Sequence, residues 1–190
     1  MKTLITLFIA TALLSFKAVA PATWTTDAAH SKLGFTVTHM MVSDVEGTFK
    51  NFSATITASK DDFSDATIDM SADIASISTN NDQRDTHLKS PDFFDAAKFP
   101  KMTFKSTAVK LSGDKTYKVT GNLTLRGVTK PVTFNAVLRG TYTNQAKKTV
   151  AGFKISGTIN RKDFGVGSNF GNAMVSEDVT LIANAELVKN

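Results

Sequence analysis

The chain of 190 residues contains no cysteine, one tryptophan, two tyrosines, four prolines and three histidines. Without cysteine there can be no disulfide framework, thiolate metal site, thiol nucleophile or cysteine-linked lipid. The histidines, His30, His39 and His87, form no HExxH motif and no close pair, so the pattern offers no zinc site and no metal is expected. No apolar run approaches the roughly 20 residues that a membrane helix needs. Charge of one sign is also scarce. The formal net charge is +5 and falls to +3 once Lys2 and Lys17 of the N-terminal segment are set aside. Spread along the chain, that excess gives no argument for nucleic acid.

What is present begins with a leader. Lys2 opens a short basic start, Leu4 to Leu14 is apolar, and small residues follow, in the order of a secretory signal. Ala18-Val19-Ala20 and Ala20-Pro21-Ala22 both fit a cleavage site, and the second is preferred because a cut after Ala20 would leave Pro21 directly behind it. Residues 1–22 are therefore expected to be a signal peptide and residues 23–190 one exported domain. That length suits a single core.

From Trp24 onward the dominant period is two. Eight segments alternate an apolar with a polar face: Leu33–Val37, Phe52–Ala58, Ala66–Ile74, Met102–Ala108, Tyr117–Leu125, Val132–Gly140, Ala151–Ile159 and Val179–Leu187. Such alternation implies antiparallel strands with one wetted face. Short turns at Ser112-Gly113-Asp114, Arg126-Gly127 and Thr143-Asn144-Gln145-Ala146 favour a meander. The expected fold is all-β, an eight-stranded antiparallel up-and-down barrel that leaves no exposed edges, with a two-sheet sandwich as the alternative. One segment departs from the alternation. Between residues 80 and 98 a helical insert is expected: Asn80 or Asn81 caps a helix over Asp82 to Lys89, and Ser90-Pro91-Asp92 looks like a second start. Phe93, Phe94 and Phe99 are too apolar for a free loop and should pack over a barrel mouth or along its wall.

The inner face carries the functional argument. Of 36 apolar-face positions, thirteen are Ala, Gly or Ser. Interiors are close-packed, so a round barrel lined this thinly should leave volume unfilled. The rest of the lining is Phe, Leu, Ile, Val and Met, which suits a long hydrocarbon chain. About forty carbons at about 0.3 kcal/mol per heavy atom would give about 12 kcal/mol, in the nanomolar range. The expected wall comprises Phe35, Val37, Met70, Phe104, Leu123, Phe134, Leu138, Phe153, Ile155 and Leu181. His39 shares the alternation of Phe35 and Val37. It reads either as a head-group contact or as the partner of a buried backbone or carboxylate group.

Arg84, Asp85 and His87, with Asp82 and Asp92 nearby, admit two readings. As an acid–base cluster they would serve an enzyme acting on a hydrophobic small molecule. As an Arg–Asp pair and helix cap they would pin the insert to the barrel rim, which is preferred because no nucleophile or metal accompanies them. No catalytic residue and no cofactor is expected. GVGSNFGN (Gly165 to Asn172) lacks the GK[ST] of a phosphate loop and reads as a mobile loop.

Several stretches together resemble one family. They are FTVTHM (Phe35 to Met40), EGTFKNFSATI (Glu46 to Ile56), SISTNNDQRDTHLKSPDFFDAAKFPKMTFKST (Ser76 to Thr107), GNLTLRGVTKPV (Gly121 to Val132) and INRKDFG (Ile159 to Gly165). In this order they resemble the bacterial lipocalin-like polyisoprenoid-binding proteins of the YceI type. RDTHLKSPDFFDAAKFP is the most specific piece. The resemblance implies a lipocalin-like barrel with an elongated pocket. It also implies a periplasmic or secreted location, an isoprenoid quinone or similar lipid as ligand, no catalytic activity, and often a homodimer. A third reading, from a different class, is a filled barrel that binds a protein through its outer face.

Overall fold

A computed structural model describes residues 20–190, so the expected leader lies almost wholly outside the described residues. Eleven strands form the sheet: β1 (Ala22–Thr26), β2 (Lys32–His39), β3 (Ser43–Phe49), β4 (Phe52–Ala58), β5 (Thr67–Asp73), β6 (Ile77–Ser78), β7 (Lys101–Gly113), β8 (Thr116–Leu125), β9 (Val128–Thr143), β10 (Thr149–Asn160) and β11 (Asp178–Lys189). One helix, α1 (Asp82–Lys89), lies between β6 and β7. Ala22, the last residue of the expected leader, already pairs with Ala58 in the sheet.

The strands close into an eight-stranded antiparallel barrel, in the order β1-β4-β5-β7-β8-β9-β10-β11, with β11 pairing back to β1. The eight-strand count hides three interruptions. β11 pairs with β2 through Thr180–Asn184 and with β1 through Leu187–Lys189, so β1 and β2 are two halves of one broken strand. β3 and β4 form the next broken strand, since β3 pairs with β2 and β4 with β1. β5 and β6 form the third, with a 3-10 turn at Ile74–Ser76 between them. Side chains fill the breaks in the ladder. Asp27 accepts a hydrogen bond from the Ala29 amide at 2.9 Å, which turns the chain out of β1. Ser31 then hydrogen-bonds both the amide and the carbonyl of Glu186 on β11. Ser76 Oγ accepts from the Asn51 amide at 3.0 Å.

These breaks divide the barrel into two halves. In the first, all eight strands are hydrogen-bonded around the circumference. In the second, β6 pairs only with β3, and the gap to β7 is covered by residues 79–100. Asn81 caps α1 as expected, accepting from the Arg84 amide at 2.9 Å. The second helical start does not form. Ser90 accepts from the Asp92 amide, and residues 91–97 follow as turns closed by backbone bonds such as Phe94 to the Leu88 carbonyl.

β3 was absent from the eight expected segments. Ser-Asp-Val-Glu-Gly-Thr-Phe has only Val45 and Phe49 to mark its inner face, and the position between them is Gly47. Glycine is required there because the Phe35 ring lies where a Cβ would project. Two bulges also shift the expected alternation. One near Thr107 turns Val109, rather than Ala108, inward to pair with Val119, and one at Arg139 follows Leu138. The β8–β9 connection is a two-residue turn with both Arg126 and Gly127 at positive φ, as tight hairpins demand.

Candidate functional site

Two chambers open along the bore of the barrel. The first chamber, in the fully closed half, has a volume of about 140 Å³. Its wall is built from inward positions of seven of those eight strands, with Leu33 of β2 in place of any residue of β1. Leu33, Phe52, Ala54, Ile56, Ile68, Met70, Phe104 and Val109 come from β2, β4, β5 and β7; Val119, Leu123, Phe134, Ala136, Phe153, Ile155, Ala183, Ala185 and Leu187 come from β8 to β11. No charged residue touches this chamber, and its one hydroxyl, on Tyr117, donates to the Asp62 carbonyl at 2.6 Å. Phe63 closes the end. No local pattern marks it, because it lies in the polar stretch Lys60–Asp65. Its ring packs 5.0 Å from Trp24 and 5.1 Å from Phe153, and Asp65 holds the loop by accepting from the Ser59 and Lys60 amides.

Seven of the thirteen small residues serve one of two uses. Ala54, Ala66, Ala136, Ala183 and Ala185 line the first chamber. Two glycines instead receive aromatic rings, Phe104 over Gly121 and Phe134 over Gly157, while Gly140 has open space beside it. Thin lining thus leaves a void at these five alanines and lets rings pack at Gly121 and Gly157.

The second chamber, about 270 Å³, lies in the half where the strands are broken. Phe35, Val37, Val45, Phe49, Leu125, Ile159 and Val179 form its apolar wall. Two segments roof it. The insert supplies Leu88, Phe93 and Phe94, and the loop after β10 supplies Val166, Phe170, Met174 and Val175. Phe93 and Phe170 stack at 4.8 Å and join the two. The wall residues His39, Arg84, His87 and Met174 are solvent-exposed, which makes this end the mouth.

Arg161 holds the second roof segment and was not singled out in the sequence beyond its place in INRKDFG. It is only 3% exposed, and its guanidinium donates five hydrogen bonds to the backbone carbonyls of Val166, Gly167, Phe170, Val175 and Ser176. Burial lowers its pKa, with Glu177 opposing, yet a guanidinium remains charged at any physiological pH. The glycine-rich loop read as mobile is therefore anchored along its length by one buried cation.

Nine of the ten expected wall residues line a chamber. Met70, Phe104, Leu123, Phe134, Phe153 and Ile155 face the first, Phe35 and Val37 the second, and Leu181 both. Leu138 faces neither. It is buried beside the bulge, and its amide donates to the Lys115 carbonyl at the β7–β8 turn. His39 stands at the mouth, where it bridges to Val175.

Arg84, Asp85 and His87 do not form one relay, and the expected direct Arg–Asp pair is absent. Thr79 stands between them: its amide and hydroxyl donate to Asp85 at 2.7 and 2.6 Å, while its hydroxyl and carbonyl oxygens accept from Arg84 at 2.7 and 2.9 Å. Burial pushes the Asp85 carboxyl up, but the Thr79 donors, aided by Lys89 and Arg84, outweigh it and hold it below the usual range. His87 meets Asp92 at 3.3 Å and sets its ring edge-on to Phe93. The cluster ties α1 to the end of β6.

No motif in the sequence marks a metal site. In the fold, one histidine meets two carboxylates on the outer wall, at the β1–β2 break. Asp27, His30 and Glu186 bring ligand atoms within 4.8 Å of one another. Their demands are met locally: His30 bonds Asp27 at 2.9 Å, and Tyr142 donates to Glu186 at 3.0 Å. The shared hydrogen bond lowers the Asp27 pKa and raises that of His30. Among the described residues no helix is long and apolar enough to cross a membrane.

The family model of the YceI-like domain matches residues 24–187. Protein YceI of Salmonella newport (strain SL254) is 41% identical over 160 residues, covering 84% of this chain and 82% of its own. Among solved structures, BcnA of Burkholderia cenocepacia superposes with a TM-score of 0.76 at 27% identity, over 85% of this chain and 98% of its own. The Campylobacter jejuni YCEI protein gives 0.73 at 34%, over 80% and 90%. A polyisoprenoid binding domain from Saccharophagus degradans, implicated in plant cell wall breakdown, gives 0.63 over 90% and 99%. At 17% identity it shares the fold alone.

Proposed function

The chain belongs to the YceI-like family, and on that premise we propose that it is an exported, periplasmic or secreted carrier that sheathes the tail of a long isoprenoid, such as that of a quinone, inside its barrel. The observation that carries this reading is the first chamber. It is a void with no charged residue and no free hydroxyl on its wall, closed at its far end by Phe63. Water gains little there, and a polar or charged ligand would lose its hydration without replacement. A hydrocarbon tail loses nothing and gains burial along its length. The tail enters at the second chamber and runs toward Phe63. The head group stays at the mouth, near His39, Arg84 and His87, where polar side chains and solvent meet. The polyisoprenoid-binding neighbour with this fold supports the ligand class.

Organic extraction of purified protein followed by mass spectrometry tests the reading. A bound polyprenyl lipid is expected. Protein that is empty on extraction, and that also takes up no added isoprenoid quinone, would end it. No specific observation favours the enzyme reading, because Asp85 is committed to Thr79 and His87 to Asp92.

A further inference from the structure

The β2–β3 hairpin turns next to the mouth, and its tip is apolar where a tip is ordinarily polar. Met40 is 51% exposed, Met41 72% and Val42 85%, and Met174 of the roof loop joins them at 49%. The Met40 amide donates to the Met174 carbonyl at 3.0 Å, so the four side chains belong to one promontory. The backbone is also unusual. Met40 and Met41 have φ of 52° and 57°, and the Val42 amide closes the turn onto the His39 carbonyl. Two successive left-handed residues form the hairpin turn that favours Asn-Gly, because unbranched or β-branched side chains are strained there. Here the strained positions carry two methionines whose side chains gain no burial in return. A locally unfavourable choice with no packing reward points to use outside the fold.

Two observations select the occupant. First, residues 40–43 and 166–176 contain no Lys, Arg, His, Asp or Glu, so the tip and the loop beside it offer no charge to a charged partner. Second, the exposed apolar surface is confined to one small projecting tip. A stable protein interface takes about 20–30 residues a side, whereas this is four side chains on a projecting turn. Flexible thioethers on a convex tip fit a surface that yields around them.

We propose that the Met40-Met41-Val42 tip, with Met174, inserts into the surface of a lipid bilayer and sets the barrel mouth against it. His39, Met174 and Val175 line the second chamber, and the tip continues directly from them, so the insertion leaves an apolar path between membrane and bore. The role assigned to this contact, transfer of a tail without exposure to water, rests on the carrier reading. The contact itself does not.

The test uses residues 21–190, which hold the whole closed barrel and leave out the apolar run at 4–14. Co-sedimentation with vesicles of neutral phosphatidylcholine is measured at low and high salt for the wild type, for the double variant M40N/M41G and for Val42→Ser. The wild type is expected to sediment with vesicles equally at both salt concentrations. M40N/M41G is expected to bind at least about tenfold more weakly while melting at a higher temperature, since Asn-Gly relieves the turn. Val42→Ser should weaken binding without a change in stability. Wild-type protein that stays in solution, or variants that sediment as it does, would overturn the proposal. Uptake of a polyprenyl quinone from detergent micelles separates the two readings. If wild type and M40N/M41G take it up alike and only uptake from vesicles is slowed in the variant, both stand. If neither takes it up but vesicle binding follows the tip, the carrier reading fails and the insertion stands.

Discussion

Met102 on β7 and Leu181 on β11 are the two side chains that line both chambers, and they stand at the neck between them. A chain longer than either void must pass them. Met102 is unbranched and can rotate aside, whereas Leu181 is confined by its branched terminus. Leu181→Phe should therefore narrow the neck. Binding of long polyprenyl chains is expected to weaken about tenfold or more, with short ones held in a single chamber changed little. Competition titrations with two chain lengths read the difference. Equal losses for both lengths would place the ligand elsewhere.

The glycines under aromatic rings give a prediction about stability. A Cβ added at Gly157 would lie 2.5 Å from Phe134 Cδ1, inside any tolerable contact. Gly157→Ala should cost about 1–3 kcal/mol through displacement of that ring. Phe134→Leu in the same molecule should recover part of the loss, because the smaller side chain vacates the space. A double-mutant cycle by denaturant unfolding measures the coupling, and strictly additive costs would contradict this packing.

What could be seen in advance follows from the range over which each interaction acts. The strand alternation, the cap at Asn81 and the turn at Arg126-Gly127 are local, and the sequence states them. β3 was hidden because Gly47 occupies an inner position, and its partner, Phe35, is twelve residues away on another strand. The bulges at Thr107 and Arg139 leave no trace in composition. Phe63 sits among lysine and aspartates and becomes a plug only when Trp24 and Phe153 arrive from distant strands. Arg161 looks like any surface cation until the loop that follows wraps around it.

Arg161 gives the roof its shape, and its removal should be felt there first. Arg161→Met leaves five carbonyl oxygens without their donor, and the stability loss is expected to be about 3 kcal/mol or more. Lysine should not rescue it, because one ammonium cannot reproduce a planar fork with five donors. Hydrogen exchange should show the amides of Val166, Phe170 and Val175 opening far more often, while those of β8 and β9 stay protected. Uniform loss of protection would mean that Arg161 supports the whole barrel rather than the roof.

Asp85 gives the last prediction, in acid. Its carboxyl titrates below the usual range in the folded protein, so the unfolded chain binds the proton more readily. The stabilisation is fully present above the unfolded value of about 3.9 and is lost as pH falls through the folded one. Between pH 5 and 8 this group should contribute no slope. Below about pH 4 the melting temperature should drop as Thr79 loses its charged acceptor. Asp85→Asn keeps the shape but removes the charge, and should cost about 1–2 kcal/mol at neutral pH while making the acid limb shallower. The insert is expected to loosen first, because the Asp85–Thr79–Arg84 contacts fasten α1 where β6 has no second neighbour. Melting curves of wild type and variant from pH 3 to 7 decide it. Parallel acid limbs would assign the loss to other carboxylates.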